Sequence, residues 1–281
     1  MKLIYRTAYM NKLASAMGTP DIKVITGIRR CGKSKLLEAF ADQIRASFPT
    51  ANIIRINFNL LEFEPLMQYR ALHDYVEKHF VEGCNNVVII DEVQMCEGFE
   101  KAINSLHASE KYDIYITGSN AFLLSNDLST LFTGRTFEVE VFPFTLAEFA
   151  QYHEITSPDE ALTRYLREGG MPGSYLYPDE RARFVYISDV LDTLVLRDVR
   201  QKYRIRNAEQ LERTCEFLMD NVGNISSLKS MAATLSQAGL KINDKTLAAY
   251  IDHLCDAFAF YRVRRFDVAG KKYLSTGDKY Y

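Results

Sequence analysis

Gly27-Ile28-Arg29-Arg30-Cys31-Gly32-Lys33-Ser34 sets two glycines five positions apart and follows them with a lysine and a hydroxyl. These residue types in this order suit the capture of a triphosphate. The glycines let the backbone curl so that successive N–H groups point at phosphate oxygens, and a helix starting where the loop ends adds its positive N-terminal dipole. Lys33 would reach the β- and γ-phosphates, and Ser34 is placed to coordinate the Mg²⁺ that bridges them. Candidate contacts to ATP run through Gly27, Ile28, Arg29, Arg30, Cys31, Gly32, Lys33, Ser34 and Lys35. The plainer reading, a glycine turn that binds nothing, leaves Lys33-Ser34 without a purpose.

A second constellation ends the apolar run Asn86-Val87-Val88-Ile89-Ile90 with Asp91-Glu92. A buried parallel strand opens at its carboxyl end onto a ligand crevice, so the two acids fall where such sheets do chemistry. Asp91 would hold the metal through its bound water, and Glu92 would polarise the water that attacks the γ-phosphate. Ser119 and Asn120 follow the apolar strand 113–117 and could hydrogen-bond the γ-phosphate or that water; helix capping is the competing reading. Arg135 precedes the strand 137–141, where its guanidinium could clamp the phosphate of a neighbouring subunit, or form a salt bridge at a helix end.

The elements that must position these residues alternate. Strands are expected at 22–26, 52–58, 86–92, 113–117 and 137–141, separated by amphipathic helices of which Leu36, Leu37, Phe40 and Ile44 mark the first. That order predicts an α/β fold, a parallel sheet with helices on both faces, in which the strand 113–117 can lie between the loop strand and the acid strand.

A length of 281 residues with 47% hydrophobic content suits two domains more readily than one. Lys and Arg total 34 against 36 Asp and Glu, so contact with nucleic acid would need a local patch. Cys31, Cys84, Cys96, Cys215 and Cys255 lack metal-ligand spacing and suit free thiols in a reducing cytoplasm. Cys31, inside the loop, would make ligand binding sensitive to oxidation if its thiol were reactive; a small residue filling a turn is the simpler account. The apolar start of the chain is broken at Arg6 and Asn11, so neither a signal peptide nor a membrane span is expected, and the protein is placed in the cytoplasm.

With Ile89-Ile90-Asp91-Glu92-Val93-Gln94, Thr117-Gly118-Ser119-Asn120 and the Gly134-Arg135 turn, the loop resembles the P-loop NTPases of the AAA+ class. Gly169-Gly170-Met171-Pro172 and Leu146-Ala147-Glu148-Phe149 make it similar to a bacterial and archaeal group of AAA+ ATPases that carry a winged helix and a C-terminal restriction-endonuclease-like domain. The resemblance implies a five-stranded sheet with a small helical lid, the loop as Walker A, Asp91 and Glu92 in the Walker B roles, Ser119 or Asn120 as sensor and Arg135 as arginine finger. The endonuclease-like domain would lie beyond Tyr281 and is missing from this chain, so no nuclease activity is expected of it.

From about residue 181 the pattern is mostly helical. Arg197, Arg200, Lys202, Arg204 and Arg206 read as a solvated helix end more readily than as a phosphate-binding stretch. Helices marked by Leu211 and Leu218, by Leu228 and Leu235, and by Leu247 and Leu254 precede a hairpin with arms at 260–266 and 272–275, and together read as a winged helix in which Asn243 caps the third helix. Acids on that helix (Asp244, Asp252, Asp256) disfavour major-groove reading, whereas Arg262, Arg264, Lys271 and Lys272 would let the wing touch DNA. His253 reads as a packing histidine rather than a ligand. Expected boundaries are a P-loop core at 1–145, a lid and linker helix at 146–206 and a winged-helix-like domain at 207–281.

These expectations describe an ATPase that uses ATP and Mg²⁺, couples turnover to the winged helix and could assemble into a homo-oligomer. The alternative is a nucleotide-gated signalling or assembly switch with little turnover. A small-molecule kinase fits less well, since Asp91-Glu92 beside a polar strand tip suits activation of water.

Overall fold

The runs Ile22–Thr26, Asn52–Asn57, Asn86–Asp91, Tyr112–Thr117 and Thr136–Glu140 form strands β1 to β5 of one sheet, ordered β2-β3-β4-β1-β5, with every pairing parallel. Every residue of β1 and β3 is buried, which is why these strands read as continuous apolar runs rather than alternating ones. The computed structural model describes residues 3–118, 131–132, 134–264, 266 and 277–281. It contains two compact units, Met1–Ile187 and Ser188–Tyr281.

In the first unit helices cover both faces of the sheet. Helices α1 (Thr7–Ser15) and α2 (Lys33–Ser47) bring Met10, Leu13, Leu37, Phe40 and Ile44 against Ile25, Val87, Ile89, Tyr115 and Val139. Helices α3 (Tyr69–Lys78) and α4 (Phe99–Ala108) bring Leu72, Val76, Ile103 and Leu106 against Val24, Ile56, Val88, Ile90 and Ile116. Successive strand residues thus feed opposite cores. Helix α1 has no counterpart among the expected elements: it is nine residues long and buries only Met10 and Leu13, too short a stripe to stand out.

Lys23 is fully buried in the middle of β1, where an apolar residue would be expected. Its Nζ meets Asp113 Oδ1 on β4 at 2.6 Å and donates to the Thr19 carbonyl at 2.7 Å; Asp113 Oδ2 accepts the Gly18 N–H and the Tyr115 hydroxyl. The charge is tolerated because it is paired and hydrogen-bonded on both sides.

After the sheet come α5 (Leu146–His153), α6 (Pro158–Glu168) and α7 (Glu180–Asp189). Helix α5 starts with a reciprocal capping box between Thr145 and Glu148, and α6 with a Ser157 cap followed by Pro158. Buried Phe149 packs edge-on to Tyr165 and Tyr175, at centroid distances of 5.4 and 5.5 Å.

The second unit opens with the π-helical stretch Val190–Leu196 and α8 (Arg197–Tyr203), followed by α9 (Ala208–Asp220), α10 (Leu228–Gln237) and α11 (Asp244–Asp256). Asn207, Ser227 and Asn243 cap the last three. These helices pack on one another through Leu211, Leu218, Met231, Leu235, Leu247, Ile251 and Leu254, all buried. Strands β6 (Arg262–Val263) and β7 (Lys279–Tyr280) pair antiparallel, and Asp278 also bridges to Ser226, just before α10. The expected second hairpin arm at 272–275 lies outside the described residues. His253 stacks on Tyr203 at 3.5 Å, and burial lowers its pKa, as suits a packing residue.

Candidate functional site

Register places the chemistry at one end of the sheet. Ile25 of β1 is level with Thr117 of β4, and Ile116 with Ile90 of β3, so the loop after Thr26 and the acids after Ile90 leave the sheet on the same side. Gly32, Lys33, Ser34 and Lys35 share with Glu92 the wall of a single cleft of about 430 Å³, completed by Arg30, Pro172, Gly173, Leu176, Tyr177 and Tyr186.

The loop's glycines have separate causes. At Gly27 φ is +126°, and a Cβ there would lie 2.0 Å from the Val141 carbonyl oxygen, so only glycine fits against the chain leaving β5. Gly32, at φ +104°, is the left-handed residue that turns the loop into α2. Arg30 also takes a positive φ of 65° and lays its guanidinium over the Tyr186 ring at 5.2 Å.

Lys33 is buried despite its charge, and its Nζ donates to the Gly27 and Ile28 carbonyls at 2.7 and 3.1 Å. Ser34, on the first turn of α2, is exposed, while Lys35 pairs with Glu38 at 2.5 Å on the outer face. Arg29 is half-buried. Cys31 is wholly buried, and that burial pushes its thiol pKa up in spite of the nearby Lys33 and Arg6 charges. The oxidation-sensitive loop therefore loses its premise, since a reactive cysteine needs both exposure and thiolate character.

At the end of β3, Asp91 is buried and accepts a short hydrogen bond from the Thr117 hydroxyl. The same hydroxyl oxygen accepts the Glu92 N–H at 3.1 Å. Glu92 holds a left-handed φ of 57°, and its Oε2 accepts the Gln94 side-chain amide at 2.5 Å. A non-glycine residue in that region is uncommon and carries backbone strain.

Ser119 and Asn120 lie outside the described residues. Arg135 is not brought to the cleft of its own chain. Its carbonyl accepts the Ile22 N–H at the amino end of β1, the far end of the sheet from the loop, about 16 Å away at strand rise. Thr117 and Gln94 lie inside the motifs that carry the resemblance without a role assigned to them, and their contacts with Asp91 and Glu92 have no mark in the sequence. Arg6, which donates to the Cys31 carbonyl of the loop, is an isolated arginine with no local pattern to mark it.

Residues 19–150 match a family described as "AAA domain", and residues 159–281 match a domain of unknown function, DUF8612. An uncharacterised protein of Haemophilus influenzae is 32% identical over 285 residues, covering 99% of this chain and 71% of that protein. The chain is an AAA-domain protein of the same family as this Haemophilus relative. An uncharacterised protein of Methanocaldococcus jannaschii is 28% identical to the AAA-domain chain, with coverage of 89% and 58%. A solved structure of the replication initiator DnaA bound to AMPPCP and single-stranded DNA is a looser likeness, at a TM-score of 0.41 and 14% identity over 89% of this chain and 86% of that one. No helix among the described residues of the AAA-domain protein is long and apolar enough to cross a membrane.

Proposed function

We propose that this AAA-domain chain binds ATP with Mg²⁺ in the cleft between its glycine loop and Glu92, hydrolyses it, and couples the cycle to its second unit. One observation carries the reading: Lys33, Ser34 and Glu92 line a single cleft although nearly sixty positions separate the loop from the acid. The residues fit the ligand by their chemistry. The Lys33 ammonium is held by two carbonyls that phosphate oxygens can replace, and the loop is shaped by a glycine whose Cβ would strike Val141. Mg²⁺ would neutralise charge on the β- and γ-phosphates, with the Ser34 hydroxyl and the Asp91 carboxylate to hold it. Mg²⁺ bound with a nucleotide takes few protein ligands, the rest being phosphate oxygens and water, so one hydroxyl and one carboxylate suit it.

Glu92 takes the proton of the attacking water as it adds to the γ-phosphorus, and ADP and phosphate leave. Ser119 or Asn120 would orient that water. Arg135, at the opposite sheet end, suits a neighbour's γ-phosphate better than its own, so a homo-oligomer follows from assigning it this role. In the second unit, three capped helices followed by β6 and β7 match the order of a winged helix. Arg264 is exposed and is the described part of the candidate DNA contact; Lys271 and Lys272, the other basic residues assigned to it, lie outside the described residues. Arg262 contributes less, because it is paired with Asp252 at 2.5 Å and lies 3.7 Å from Asp278. Free cysteines throughout agree with a cytoplasmic setting.

The Gln94 contact favours a second reading, a nucleotide-gated switch in which Glu92 is held back and turnover is rare. The test is Glu92→Gln. The ATPase reading expects binding retained and turnover reduced by a hundredfold or more, about 3 kcal/mol of transition-state stabilisation. Turnover that is negligible in the wild type and unchanged in the variant, with ATP-dependent assembly intact, selects the switch.

A further inference from the structure

Arg6 is buried to 4% exposure, sits outside every motif, and uses its guanidinium on three separate segments. Its Nε and Nη2 form a bidentate pair with Glu148 at 2.8 and 2.9 Å, at the capped start of α5. Nη2 also donates to the Phe142 and Pro143 carbonyls at 2.9 and 3.3 Å, where the chain leaves β5. Nη1 donates to the Cys31 carbonyl in the glycine loop at 3.3 Å. The Tyr9 ring, 4.4 Å from the guanidinium carbon, packs against one side of it.

We infer that Arg6 is a positioning residue for triphosphate binding, which sets the direction of a phosphate-facing amide; this rests on the ATP reading above. In a planar trans peptide the carbonyl of Cys31 and the N–H of Gly32 point in opposite directions. A guanidinium holding the Cys31 oxygen therefore turns the Gly32 N–H away from Arg6, and Gly32 lines the cleft. Gly32, at φ +104°, has no side chain to restrain its own side of this plane, and the Arg6 hydrogen bond restrains the plane through the Cys31 oxygen. Arg6 can do so because its own orientation is locked by a bidentate carboxylate. Glu148 is in turn held ionised: burial opposes its charge, but the Arg6 hydrogen bonds, the Thr145 amide and the Arg6 charge together bring its pKa below the ordinary value.

The test uses the full chain with Arg6→Lys, Arg6→Gln and Glu148→Gln. It reads ATP–Mg²⁺ affinity by calorimetry, the melting temperature, and the Gly32 amide resonance in glycine-labelled protein with and without ATP. Wild type is expected to show the Gly32 amide proton moving downfield as ATP binds. Arg6→Gln and Arg6→Lys should weaken binding about tenfold and lose most of that movement, and Glu148→Gln should move both readouts the same way by a smaller factor. If Arg6→Gln fails to fold, Arg6→Lys and Glu148→Gln decide by the same two readouts. Variants that melt lower but bind ATP as tightly as wild type, with the Gly32 shift intact, overturn the inference and leave Arg6 a purely structural residue. A wild-type chain that binds no ATP overturns the nucleotide reading itself, and this inference with it.

Discussion

The hydroxyl of Thr117, last residue of β4, donates to the buried carboxylate of Asp91, last residue of β3. Through its backbone N–H, Glu92 uses the same oxygen as an acceptor. One side chain on a central strand thus fixes both acids of the candidate site. Thr117→Val keeps the shape and removes both hydrogen bonds. It should cost about 1–3 kcal/mol of stability, because a buried carboxylate and an N–H lose their partner, and should raise the Mg²⁺ concentration needed for half-maximal ATP turnover several-fold. Urea unfolding and a Mg²⁺ titration check the two effects separately.

Gln94 acts on the other acid. Its amide at 2.5 Å from Glu92 Oε2 competes with any water for that carboxylate. Gln94→Ala is expected to raise turnover several-fold if the contact restrains the base, with little change in ATP affinity. Steady-state rates at saturating ATP measure this, and a fall in rate would make Gln94 a residue that orients Glu92 rather than restrains it.

The Lys23–Asp113 pair is buried on both sides, with side-chain exposures of 0% and 4%. Removing one partner leaves a buried charge uncompensated, so Asp113→Asn should lose about 3–5 kcal/mol, whereas Lys23→Met with Asp113→Leu should lose less than either single change suggests. Equilibrium urea denaturation of the three variants reads out both claims.

How much of this was legible in the sequence differs by residue type. The five strands and the place of β4 between the loop strand and the acid strand were legible, because apolar runs punctuated by glycine and by paired acids mark buried strands such as β1 and β3; the edge positions of β2 and β5 had no such signal. Lys23 and Asp113 were hidden because a buried ion pair joins two strands ninety positions apart, and each residue alone looks like an interruption. Arg6 was hidden for the same reason, since its partners lie 25, 136, 137 and 142 positions away. Cys31 fits the simpler account its loop position allowed, a small residue filling a turn, because the loop folds its thiol into the core beneath α2.

Stability should fall at both ends of the pH scale, for different groups. Burial raises the Cys31 thiol above its ordinary 9.0, so the fold holds it neutral while the unfolded chain ionises; its contribution is complete below about pH 9 and lost as pH rises beyond that. Glu148 is lowered from 4.5, so its contribution is present above that value and lost as pH falls through the folded pKa. Urea midpoints from pH 3 to 10 should show both flanks, with the acid flank reduced in Glu148→Gln. At pH 7.5 a thiol-alkylating reagent should leave Cys31 unmodified in folded protein.

Every role proposed for this chain requires the glycine loop to hold a triphosphate through Lys33, which calorimetry with ATP and Mg²⁺ on wild type and Lys33→Ala measures. Saturable heat from the wild type and at least a hundredfold weaker binding by the variant, whose melting temperature without nucleotide stays close to wild type, is the predicted result. Absence of heat from the wild type, or equal affinity in the two proteins, would contradict it.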